Sequence, residues 1–243
     1  MNSFIDKIIR SFLSKTPLYR LIDQYWMPYF KNQFKEIGPN TQIITPLTVQ
    51  PRNMSLGDCV RIQNHVNMIS SKGQISIKKY SSIGSGTIII PGAHTPTVGL
   101  PQFFSYLHIN DEERIITVEE DCWIGASCIL LSKSHISRGS IVAAGSVVTK
   151  DVPPYAIVAG NPAKIIATRF SINQILEHER ILYPEDERMS KLELEDLFES
   201  RYKGYKSIGI SNMNKADCER LTAEAERMNI KFYDTINHES SKV

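Results

Sequence analysis

From Val118 onward an aliphatic residue recurs at every sixth position: Val118, Ile124, Leu130, Ile136, Val142 and Val148. A helix repeats every 3.6 residues and a half-buried strand every two, so a period of six belongs to neither. It fits a chain that turns a corner every six residues, three short strands to a triangular coil, with each aliphatic side chain pointing into the prism. Corners need small residues, and Gly125-Ala126, Gly139-Ser140 and Ala144-Gly145 follow Ile124, Ile136 and Val142. The same register appears earlier as Leu56-Gly57, Ile62, Met68, Ile77, Ile83-Gly84 and Ile89, with a nine-residue step from Met68 to Ile77 that marks a slip or small insertion. A flat β-sandwich would also show short strands and turn glycines, but six consecutive matches at one spacing speak against it. One such coil cannot bury its apolar face alone; stacked coils make the core, and the two ends of the stack need caps.

The chain has 243 residues, a length that suits one large domain with an appendage or two small ones. Its net charge of +2 hides an uneven spread: residues 1–36 and 37–170 each carry +3, and residues 171–243 carry −4. No basic stripe of the kind that binds nucleic acid is present, and no run of about 20 apolar residues suggests a membrane span. Cys59, Cys122, Cys128 and Cys218 lack zinc-site spacing and are too few for a disulfide scaffold, which points to a reducing, cytoplasmic setting. Cys122 and Cys128 fall where a coil wants a small residue, a structural role.

Apolar residues between Phe4 and Phe34 recur at three- and four-residue spacing, with breaks near Pro17 and Pro28. They predict amphipathic helices. Asp6, Lys7, Arg10 and Lys15 interrupt the run, unlike a signal peptide. Such a segment suits a helix capping the core, or peripheral contact with a membrane surface. At the other end, Phe170–Asp196 reads as helical, and residues 207–234 read as strand, helix, strand, with the helix near Lys215–Met228.

Residues 141–169 read IVAAGSVVTKDVPPYAIVAGNPAKIIATR, and Asp121–Gly125 reads DCWIG. Together they resemble the hexapeptide-repeat acyltransferases, in the branch of sugar O-acetyltransferases and streptogramin-type xenobiotic acetyltransferases; the likeness covers roughly residues 50–170. The resemblance implies a left-handed parallel β-helix; with the N-terminal helices and the C-terminal α/β extension read from the residue pattern, the expected fold is mainly β. Left-handedness is an exception to the usual crossover rule. It also implies a homotrimer and acetyl-CoA as acyl donor, bound in a groove between subunits. The expected organisation is an N-terminal helical cap over residues 1–39, the solenoid over 40–168 with an acceptor loop at 90–117, and the extension over 169–243.

The repeat is interrupted between Ile89 and Val118, and an excursion of this length from a compact solenoid is usually functional. His94, in Gly-Ala-His-Thr-Pro, stands where members of the family carry their catalytic histidine. Neutral imidazole is suited to take the proton of an attacking hydroxyl near pH 7. His108 lies in the same excursion and is expected to contact the acceptor or orient the loop; His65 and His135 fall within coils as surface or interface residues. Asp111, Glu112 and Glu113 read as a solvated acidic turn, or as groups that orient an imidazole or bind sugar hydroxyls.

The resemblance places the donor against Ala126, Ala144, Thr149, Lys150 and Lys164, with Ala126 and Ala144 along the pantetheine arm and Lys164 at the nucleotide phosphates. A second basic position of the family is Ala167 here, which leaves Arg169 as a replacement to be tested. Trp123 is expected to pack against the acceptor loop or a neighbouring subunit. The implied activity is acetyl transfer to a sugar hydroxyl of a bacterial surface polysaccharide or its precursor, with transfer to an amino sugar or a xenobiotic, and a non-catalytic trimeric scaffold, as alternatives. The γ-type carbonic anhydrases share the fold but need an HxxxxH pair for zinc, which this chain lacks.

Overall fold

The computed structural model describes residues 29–69, 73–110 and 114–230. The helices expected over Phe4–Phe34 lie outside the described residues up to position 28; residues 29–31 are helical.

From there the chain winds through three faces in turn. The first coil contributes β1 (Glu36–Ile37) to face 1 and β2 (Gln42–Ile43) to face 2, and touches face 3 through a bridge from Thr48 to Asn67. The second coil runs β3 (Met54–Leu56), β4 (Arg61–Ile62) and β5 (Asn67–Met68). The third runs β6 (Gln74–Ile77), β7 (Ser82–Ile83) and β8 (Ile88–Ile90). After the excursion come β9 (Ile115–Val118), β10 (Trp123–Ile124) and β11 (Ile129–Leu131), then β12 (His135–Ile136), β13 (Ile141–Val142) and β14 (Val147–Val148). Each strand pairs in parallel with its counterparts one coil away, as Ile62 does with Ile83 and Ile124 with both Ile83 and Val142. β15 (Ala156–Ala159) continues face 2, and β16 (Lys164–Thr168) returns antiparallel beside it, closing that end of the stack.

The six-residue ladder is the core. Leu56, Ile62, Ile77, Ile83, Ile89, Val118, Ile124, Leu130, Ile136, Val142 and Val148 are all at most 1% exposed, and Met68 is buried with them. The nine-residue step falls at the corner from face 3 to face 1, between Met68 and β6, around residues 70–72 that lie outside the description.

A second ladder stands two residues before Ile83, Ile89, Ile124, Leu130, Ile136, Val142 and Val148. Ser81, Thr87, Cys122, Cys128, Ser134, Ser140 and Ser146 are all buried, at positions where little room remains. Their polar atoms are satisfied by the backbone: Ser81 Oγ donates to Glu119 O at 2.6 Å and Thr87 Oγ1 to Gly125 O at 3.1 Å. Cys122 Sγ and Cys128 Sγ make the equivalent contacts, to Ser137 O and Ala143 O, each at 3.2 Å. Burial pushes both thiols above the ordinary cysteine range, so they serve as small packing residues and not as nucleophiles.

Beyond β16 the chain forms α1 (Ile172–Leu182), α2 (Lys191–Arg201) and α3 (Lys215–Arg227). A capping box starts α2, where Ser190 Oγ accepts from Glu193 N at 3.2 Å and Glu193 Oε2 accepts from Ser190 N at 2.7 Å. Ile175 and Leu194 pack with Tyr155 into a second small core that seats the two helices on the solenoid. Residues 207–210 do not form the expected strand: Ser207 makes a single parallel bridge to Thr168, and Gly209 N bonds Arg169 O at 2.8 Å. The following expected strand, at 230–233, lies outside the described residues from 231 onward.

Candidate active site

The excursion leaves the end of β8 on face 3 and rejoins at β9 on face 1, so it hangs from the corner between those faces. Its outgoing limb carries His94, which is exposed. Its middle forms a short 3-10 helix, Gln102–Leu107, ended by His108 in the left-handed region at φ 53° with its N–H on Ser105 O at 3.0 Å. Histidine is among the few residue types that adopt this conformation readily. The turn carries the His108 imidazole back onto His94: the ring centroids are 5.3 Å apart and the planes 26° from parallel. Asn110 Nδ2 donates to Thr97 Oγ1 at 3.4 Å, a second tie between the limbs. Asp111, Glu112 and Glu113 lie outside the described residues.

The expected donor residues divide between two edges of face 3. Ala126 and Ala144 stack one coil apart at the corner between faces 2 and 3, both exposed. The corner is tight enough to require glycine beside them, since a Cβ on Gly125 would lie 2.5 Å from Ala144 N. Among the described residues no hydrogen-bond acceptor meets the N–H of Ala126 or of Ala144. Lys164 joins this edge one coil beyond Ala144: it pairs with Ala159, and the turn before it crosses face 3 with Ala163 N on Val147 O at 2.9 Å.

Thr149 and Lys150, both exposed, follow β14 at the other edge of face 3, the corner from which the excursion springs two coils away. At about 4.8 Å per coil that offset is roughly 10 Å. The width of face 3, five residues from Ala144 to Thr149, is at most about 17 Å of extended chain. Within one chain the structure therefore brings His94 and His108 together and groups Ala126, Ala144 and Lys164, but keeps the two groups on opposite edges. Trp123 belongs to neither; it projects from face 2, 57% exposed, between Ser82 and Ile141 of the adjacent coils.

Arg169 is committed elsewhere. Its guanidinium donates to Asp121 Oδ2 at 2.6 Å, to Asp121 O at 3.0 Å and to Gly139 O at 3.2 Å, and His178 Nε2 lies 2.8 Å from the same carboxylate. Burial pushes the pKa of Asp121 up, but the His178 hydrogen bond and the Arg169 charge outweigh it and hold the carboxyl below its ordinary range. Nearby, buried Glu179 accepts from Tyr155 Oη at 2.9 Å and from Met189 N at 2.5 Å. This clasp fastens α1 to the corner before Trp123. The residues it joins are 48 and 57 apart in sequence, so spacing offers no sign of them.

A cavity of about 470 Å³ between face 1 and the extension is lined by Lys78, Lys79, Glu120, Arg138 and Glu187, whose cations are paired with the carboxylates. Among the described residues no group of three His, Cys, Asp or Glu is placed to hold a metal ion.

No family model matches the chain. A chloramphenicol acetyltransferase of Agrobacterium fabrum is 28% identical over 171 residues, 60% of this chain and 79% of that protein. An acetyltransferase of Vibrio cholerae O1 biovar eltor with hexapeptide repeats, solved in complex with acetyl coenzyme A, superposes with a TM-score of 0.52 at 27% identity, covering 58% of this chain and 74% of its own. The chain is thus similar, in sequence and in fold, to acetyltransferases built on hexapeptide repeats. Its fold is a left-handed parallel β-helix, as in those structures. A 2,3,4,5-tetrahydropyridine-2,6-dicarboxylate N-acetyltransferase of Staphylococcus aureus shares 49% identity over 51 residues, 21% of either protein.

Proposed function

We propose that this chain is a hexapeptide-repeat acyltransferase that transfers an acetyl group from acetyl-CoA to a sugar hydroxyl, in a surface polysaccharide or its precursor, with His94 as general base. The observation that carries the reading is His94 itself: an exposed imidazole on the long excursion, held by a stacked partner at the edge of the solenoid. Acetyl-CoA as donor is supported by the Vibrio relative that binds it. It is further supported by corner N–H groups at Ala126 and Ala144 that face no internal acceptor, as an amide-bearing pantetheine arm requires. Lys164 supplies a positive charge for phosphate at the same edge, and Lys150 another across face 3.

In the reaction, the acceptor hydroxyl attacks the thioester carbonyl while His94 removes its proton. The tetrahedral oxyanion then collapses, the carbon–sulfur bond breaks, and the CoA sulfur takes the proton back from the imidazolium. No acyl-enzyme forms. Because His94 and the Ala126–Ala144 edge stand on opposite sides of face 3 in one chain, we assign the site to a groove between copies, one supplying each edge. That arrangement fits a homotrimer.

The test is acceptor-dependent release of CoA thiol by the purified protein, followed by treatment of the product with mild base. An acetyl ester is cleaved by base and returns the acceptor, the result expected here. A base-stable acetyl amide would replace this reading with amine transfer.

A further inference from the structure

The tip of the excursion bears on what kind of sugar reaches His94. Residues 80–110 contain no Asp, Glu, Lys or Arg. Yet their tip is exposed: Phe103 is 80% accessible, Tyr106 61% and Phe104 40%. The three rings are not independent. Phe103 meets Phe104 edge-on at 5.1 Å and Tyr106 edge-on at 6.4 Å, and Phe104 lies 6.3 Å from Tyr106, which sets them as one ledge along the 3-10 helix. Tyr106 is two residues from His108, whose ring lies on His94, so the ledge adjoins the residue that stacks on the base.

We propose that Phe103 and Tyr106 are specificity-determining residues that stack on the acceptor sugar, and that this acceptor is an uncharged glycosyl residue and not a nucleotide-linked sugar. This rests on the reading of His94 as base. A sugar ring offers a C–H face to an aromatic surface and hydroxyls at its rim, and the ledge interleaves its rings with Gln102, Ser105 and His108, which can meet them. A nucleotide sugar brings a diphosphate that needs cationic partners. The stretch that carries His94 and the ledge, residues 80–110, offers none.

The experiment compares wild type with Phe103→Ala, Tyr106→Ala and Tyr106→Phe, using methyl glycosides and UDP-linked sugars as acceptors. Direct glycoside binding by calorimetry and molar mass by light scattering are measured alongside. Expected are transfer to methyl glycosides over UDP-sugars, a rise of about tenfold in acceptor KM for either alanine variant with donor KM unchanged, and near-complete rescue by Tyr106→Phe. An unchanged acceptor KM, or preference for the UDP-sugar, overturns the proposal. So does a fall in molar mass of the alanine variants without a change in acceptor KM, because a second copy then covers the ledge. If wild type binds glycosides through Phe103 and Tyr106 but transfers no acetyl group to them, the ledge stands as a sugar site and the catalytic reading of His94 fails instead.

Discussion

His94 and His108 stack with their ring centroids 5.3 Å apart, and the contact joins the two limbs of the excursion. Position 108 combines a left-handed backbone with a ring that steadies the candidate base. Asparagine adopts that backbone nearly as readily but has no ring. His108→Asn is therefore expected to lower kcat by about three- to tenfold, with donor KM and melting temperature unchanged. Steady-state kinetics beside a thermal melt check this; a full loss of folding would show that the turn itself was broken.

The exposed corner at Ala144 lies away from the core, so bulk added there obstructs only what lies against it. Ala144→Phe is expected to raise the acetyl-CoA KM by about tenfold or more while leaving the melting temperature within a degree or two. Calorimetric titration with CoA reads the same loss without turnover.

Lys164 is exposed and free to meet phosphate. Its removal in Lys164→Ala should weaken CoA by about three- to tenfold, and the difference should shrink as salt rises, since screening weakens a point-charge contact. Equal loss at low and high salt would argue against a phosphate role.

Asp121 gives a pH dependence with a definite sign. Its carboxyl is held below the ordinary range by His178 and Arg169 despite burial, so it stabilises the fold above the unfolded value, near 4, and that contribution disappears as pH falls through the folded value. Melting temperatures of wild type and Asp121→Asn should converge as pH drops from about 5 to 3. Parallel curves over that range would show that the clasp contributes nothing through this charge.

The sequence made the core of the solenoid legible because each coil repeats one packing problem. Val118, Ile124 and Leu130 meet the same prism at each strand, and the chain must repeat the answer every six residues. The serine, threonine and cysteine ladder two residues earlier follows the same logic but is chemically mixed, and so is harder to see. Where contacts are made once, the pattern gives no help. Arg169 looked available for a cofactor phosphate until the fold brought Asp121 and the carbonyl of Gly139 to it. The division of Ala144 and Thr149 between opposite edges of face 3 follows from the winding and not from either residue type.

The role of His94 is tested most directly by single-turnover acetyl transfer from saturating acetyl-CoA, comparing wild type with His94→Ala. The account predicts a fall of about 10²–10⁴-fold in the transfer rate with CoA affinity unchanged, as expected for loss of a general base. Transfer by His94→Ala at the wild-type rate would contradict it.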